Sequence, residues 1–181
     1  MKRIVLVIIG VLAVATNASA QTDAELIERA LTAAPGRAAE GASVIKWNNE
    51  DHTYTTIKEG TNELVCYDRS SDPGRPAFAV QCTVMGNLER LAQSRQALLE
   101  NEDGEAVLDM YEANGTRVLP VFGSPWISMN GTDADNARMH TTIAVPNATA
   151  ESMGLPENPS EGGGWIMASG TTDAHIMVPG R

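Results

Sequence analysis

The chain has 181 residues, with 13 Lys and Arg against 23 Asp and Glu, a formal charge of −10 at neutral pH. An acidic balance of that size argues against nucleic acid and anionic membrane as partners, because both are held by clustered cations. Two cysteines allow at most one internal bridge, and the length suits one ordinary domain with its own core.

Lys2-Arg3, the apolar run Ile4 to Val14 and the A-x-A site Ala18-Ser19-Ala20 predict a secretory signal peptide over residues 1–20. The apolar run is too short for a stable transmembrane span, and no later run is longer. The domain is then 21–181. Its formal charge is −12, because the leader holds two of the 13 cations and no acidic residue. The expectation is export to the periplasm or outside the cell, with no membrane insertion after cleavage.

Thr22 and Glu25 form a capping box that opens a helix with Leu26, Ile27, Ala30, Leu31 and Ala34 on one face. Pro35-Gly36 stops it. Ala42 to Trp47 and Thr53 to Lys58 read as an antiparallel strand pair, with His52 in an exposed turn between them. Glu63 to Tyr67 is a third strand and carries Cys66. Cys66 and Cys82 are expected to form a disulfide after export. The fifteen intervening residues hold Asp72-Pro73-Gly74 and Arg75-Pro76, so the bridge is expected to staple a segment with little regular structure.

After Cys82 the pattern turns helical: Met85, Leu88, Leu91, Ala92, Arg95, Leu98 and Leu99 recur at three and four residues. Glu102-Asp103-Gly104 interrupts the run, and Glu105 to Ala113 forms either a second helix or the continuation of a kinked one. Short strands are expected at Val118 to Phe122, Pro125 to Met129 and Met139 to Val145, with a helical turn within Asn147 to Leu155. Trp165 to Ala168 and Ile176 to Val178 flank a polar segment and close the chain as a hairpin. The fold class is α+β: a single domain, mainly antiparallel, with an N-terminal helix and a central helical segment.

His140, Met153, His175 and Met177 are candidate metal ligands. Imidazole with thioether sulfur suits copper, most of all Cu(I). Met153 stands 22 positions before His175, and His175-Ile176-Met177 has the form His-x-Met. This spacing partly resembles that of the periplasmic copper chaperones, in which the first ligand would fall at Thr142, two residues after His140. No G-x-S-x-G elbow, H-E-x-x-H pair or P-loop occurs, and no catalytic residue is assigned. Asp173 and His175 could join a distant serine in a triad. Asp133, Asp135 and Asn136 lack the Gly and closing Glu of an EF-hand and read as a loop with Asx turns.

Glu59-Gly60-Thr61-Asn62, Cys66, Pro73-Gly74, Cys82 and the closing run Gly170 to Pro179 together resemble a family of exported bacterial proteins of unknown function. The resemblance implies export, the disulfide and the terminal hairpin, and no activity. The leading functional expectation is a non-enzymatic binding or accessory protein with no cofactor. The alternatives are a periplasmic copper-binding protein and a hydrolase.

Overall fold

The computed structural model describes residues 21–178, so the expected leader lies outside the described residues. Helix α1 spans Asp23–Leu31 and starts on the expected capping box. Thr22 Oγ1 accepts the Glu25 amide at 3.3 Å, and the Glu25 carboxylate accepts the Thr22 amide at 2.8 Å. These bonds favour the carboxylate and hold the Glu25 pKa below its ordinary value.

One helical turn, α2 (Ala38–Gly41), leads into β1 (Ser43–Trp47), which pairs antiparallel with β2 (Tyr54–Lys58) as expected. Strand β3 (Leu64–Asp68) lies on the other side of β1 and runs parallel to it. Residues 59–63 must therefore carry the chain across the start of β1. Gly60 makes that crossing possible. A Cβ there would sit 2.4 Å from the Ser43 nitrogen and 2.5 Å from the Gly41 oxygen. The amides of Thr61 and Asn62 both donate to that same Gly41 oxygen, at 2.7 and 3.0 Å. Asn62 also donates its side-chain amide to the Ala38 carbonyl at 3.0 Å.

Strand β4 (Phe78–Val84) returns antiparallel to β3. A 3₁₀ turn, Met85–Asn87, then leads into α3 (Leu88–Glu100). Helix α4 (Gly104–Ala113) is separate from α3; Gly104 packs so closely that a Cβ would lie 2.6 Å from the Ala97 carbonyl oxygen. Then follow β5 (Pro125–Gly131), β6 (Arg138–Ala144), α5 (Ala150–Met153), a 3₁₀ turn, β7 (Trp165–Met167) and β8 (His175–Val178). The described residues form one α+β domain with an eight-stranded open sheet in the order β2-β1-β3-β4-β5-β6-β8-β7. Every pair is antiparallel except β1 with β3.

Alternation along the strands divides the sheet into two faces. On one, Val44, Leu64, Cys66, Phe78, Val80 and Cys82 pack with Ala30 and Ala33 at the α1 end of the molecule. Farther along the same face, Val145, Ile166 and Ala174 pack with Met153, Leu155 and Ile176. The other face presents Ile45, Val65 and Tyr67 to Leu88 and Leu91 of α3.

Three expectations change. Cys66 and Cys82 stand directly opposite each other on β3 and β4 and are bonded. The bridge thus joins neighbouring strands inside the core instead of stapling an irregular loop, and both residues are 0% exposed. Val118 to Phe122 is not a strand, because α3 and the 3₁₀ turn before it take its backbone groups. Val118 N–H donates to Gln93 at 2.9 Å, Val121 N–H to Asn87 at 2.7 Å, and Arg90 donates to the Val118 carbonyl. His52 is buried rather than solvated. It sits at φ 57° with Nε2 2.9 Å from Glu100 at the end of α3.

Candidate functional site

Beyond Leu91 the surface that α3 turns toward the sheet becomes polar, presenting Arg90, Ser94 and Arg95. The sheet beneath mixes polar and apolar residues. Cross-strand register aligns Tyr67, Gln81, Ser128 and His140 in one row over β3, β4, β5 and β6. A neighbouring row runs Trp126, Thr142, Met177 and Trp165 over β5, β6, β8 and β7. Clefts remain between the two surfaces.

One cleft, of about 260 Å³, holds Arg69, Arg75 and Arg95 around Asp72. Two of the three arginines share that one carboxylate, and Arg75 forms no ion pair among the described residues. The Asp72 carboxylate accepts Arg69 Nε at 3.2 Å and Arg95 Nη1 at 2.7 Å. Gln81 Oε1 accepts the Tyr67 hydroxyl at 3.0 Å and Arg69 Nη1 at 2.7 Å. The Arg95 guanidinium also lies 5.1 Å from the Trp47 ring centre, within cation–π range. Burial raises the Tyr67 phenol well above its ordinary pKa.

The second cleft, of about 320 Å³, shares Leu91 and Ser94 with the first. Gln81, Trp126, His140, Thr142 and His175 lie on its sheet side, with Arg90 on α3 and Arg117 and Pro120 from the following loop. Arg90 is 3% exposed and fully engaged: it donates to Val118 O and pairs with Asp173, and Thr172 Oγ1 stands 3.4 Å from both terminal nitrogens. Glu112 in turn holds Thr172, accepting its amide at 2.7 Å.

Arg117 differs. Its terminal nitrogens donate to Gln93 Oε1 at 2.9 Å and Ser94 Oγ at 2.8 Å, both neutral groups. Its buried Nε has no partner, and it forms no ion pair among the described residues. Burial, and then the neighbouring Arg90 charge, lower its pKa; Asp173, Glu112 and Glu105 act in the opposite sense.

The sequence-derived candidates divide between layers. Strands β6 and β8 are neighbours, and His140, His175 and Met177 point to the α3 side of the sheet. His175 stands opposite Ala144, however, four residues along β6 from His140. At strand spacing that is a displacement of about 13 Å. Met153 belongs to the other face, packed with Val145 and Ile166. His175 Nδ1 lies 2.7 Å from the Asp173 carbonyl oxygen, which can only accept, so Nδ1 carries a proton. The Asp173 carboxylate is held by Arg90, so His175 is oriented by the Asp173 backbone and not by its side chain. No family model, curated protein or solved structure matches this chain.

Arg90 and Arg117 were missed because their partners are far away in sequence. One signal was available: Arg95 falls within the apolar periodicity of α3, and a cation on the core side of a helix points to a polar interior. The Asp133 loop is an Asx turn, with the Asp133 carboxylate accepting the Asn136 amide at 2.9 Å. That bond lowers the Asp133 pKa.

Proposed function

We propose that this chain is an exported, non-enzymatic binding protein whose ligand enters the second cleft, between α3 and the β4–β5–β6–β8 surface. One observation carries the reading. Under a helical layer a sheet normally presents apolar residues, yet here Gln81 and Thr142, with the exposed His140, line about 320 Å³ of open space beside two buried arginines. The leader-like start of the chain, the cysteine pair and the resemblance at Glu59 to Asn62 support export.

The test is a ¹H–¹⁵N correlation spectrum of the protein, titrated with a library of small neutral, anionic and cationic fragments. Perturbations should concentrate on Ser94, Arg117, Trp126 and Thr142. Hits confined to other surfaces, or none across the library, would remove the proposal.

A second reading, copper handling, rests on His175 and Met177 alone, alternate residues on one face of β8, since His140 lies too far along β6 to share an ion with them. Competition with a chromogenic Cu(I) chelator tests it. Binding no tighter than micromolar, or unchanged in His175→Ala, would sink it.

A further inference from the structure

We infer that the first cleft is a separate site for a small organic anion, with its charged head on the exposed Arg75 and its apolar body on Leu98 and Leu99. Three arginines and two carboxylates, Asp72 and Glu105, line this cleft in a chain of formal charge −10. A local surplus of positive charge in a cleft gathers anions.

Most polar groups of the lining are already engaged. Tyr67 donates to Gln81, and Ser94 donates to the Arg90 carbonyl, so neither hydroxyl is free to donate. Arg95 donates to Asp72 and Asn49, and its Nε is buried. Arg69 gives Nε to Asp72 and Nη1 to Gln81, which leaves Nη2. Arg75 differs from all of these. It is exposed, and its side chain makes no ion pair among the described residues. The nearby Asp72 carboxylate is shared by Arg69 and Arg95.

Partial burial, and then the Arg69 charge, lower the Arg75 pKa; Asp72 and the Tyr67 phenol oppose them, and Glu105 is not among the groups that act on it. Arg75 thus stands close to a second cation with no carboxylate of its own. An anion reaching Arg75 and Arg69 Nη2 supplies the acceptor for charge-assisted bonds. Glu105 repels an anion from the α4 wall, which confines the head to the arginine side. Leu98 is 41% exposed on the cleft wall, and with Leu91, Leu99 and Pro73 it offers an apolar surface for the body.

Hexanoate, hexanamide, acetate and inorganic phosphate are the probes, followed by NMR at the Arg75 amide and the Leu98 and Leu99 methyl groups. Hexanoate should shift all of these. Hexanamide lacks the charge and acetate lacks the body, so each should bind about tenfold more weakly or worse. Arg75→Gln should abolish the preference for hexanoate over hexanamide, with its fold checked by circular dichroism. If that variant does not fold, the order of the four probes on the wild-type chain carries the test. Arg37→Gln, at an exposed arginine outside both clefts, should leave the preference intact. Equal binding of hexanamide would overturn the inference, as would acetate or phosphate binding as tightly as hexanoate, or an equal loss in both variants. Hexanoate that moves Trp126 and Thr142 but not Arg75 and Leu98 would also overturn it, and would leave the reading of the second cleft intact.

Discussion

On the α1 side of the sheet, Cys66, Val80 and Cys82 are 0% exposed among apolar neighbours. One residue along the same strands, on the α3 side, stand Tyr67 and Gln81, bonded to each other, with Arg69 also donating to Gln81. The two surfaces share a backbone and differ only in which alternate residues face them. The first holds the domain together by dry packing. The second packs Ile45, Val65 and Tyr67 on Leu88 and Leu91 and then opens into clefts, where side chains with hydrogen-bonding capacity join the lining. Stability and binding are therefore expected to separate by face.

The strongest test of that separation is Phe78→Ala on the dry face. Phe78 is 4% exposed, with the Arg29 guanidinium 4.6 Å from its ring centre. The substitution should cost about 3–5 kcal/mol in urea unfolding while leaving ligand titrations of the folded fraction unchanged. A loss under about 1 kcal/mol would mean that this face is not the stabilising one.

Replacing both cysteines by alanine should cost about 3 kcal/mol, from the closed loop of fifteen residues. The non-reduced protein should weigh two hydrogens less than its reduced form, and free thiols in the purified, non-reduced protein would contradict the pairing.

Tyr67 brings the polar face into the stability account through pH. Its folded pKa is raised by burial. Its contribution is complete below the unfolded tyrosine pKa of about 10 and is lost as pH rises above it. There the unfolded chain releases a proton that the folded chain keeps, and the limiting slope is about −1.4 kcal/mol per pH unit. Tyr67→Phe should flatten stability between pH 10 and 12, and an unchanged slope would show that the phenol is not the group responsible.

The smallest expected stability effect is that of Thr142→Val, a half-buried cleft residue. It should move unfolding by no more than about 0.5 kcal/mol, so a larger loss would blur the division between faces.

What could be read from the sequence follows the range of the interactions involved. The α1 cap is a contact over three residues, and the closing hairpin pairs segments joined by a short turn. Both were readable in the residues, as was the β1–β2 pair. Strand β4 was not, because six of its seven residues are buried and a strand covered on both faces lacks the polar alternation that marks one. Val118 to Phe122 misled in the opposite sense: it is apolar, yet Leu119 and Phe122 are 52% and 68% exposed in a loop pinned to α3. His52 meets Glu100 across 48 positions, and Arg117 meets Ser94 across 23. No local pattern encodes such pairs. The candidate site consists mostly of contacts of that kind, so His140 and His175 were noticed while the arginine was not.

The crossing at Glu59 to Asn62 bears on what a shared motif can transmit between chains. Gly60 is held to glycine by the backbone of Gly41 to Ser43, and Asn62 is occupied by Ala38 and Leu64. None of these atoms touches the cleft at Arg117. Two chains that share this tetrapeptide and the cysteine after it would therefore inherit the same route over the first strand. Their cargo would be written separately, in α3 and in the loop after α4, and would be free to differ.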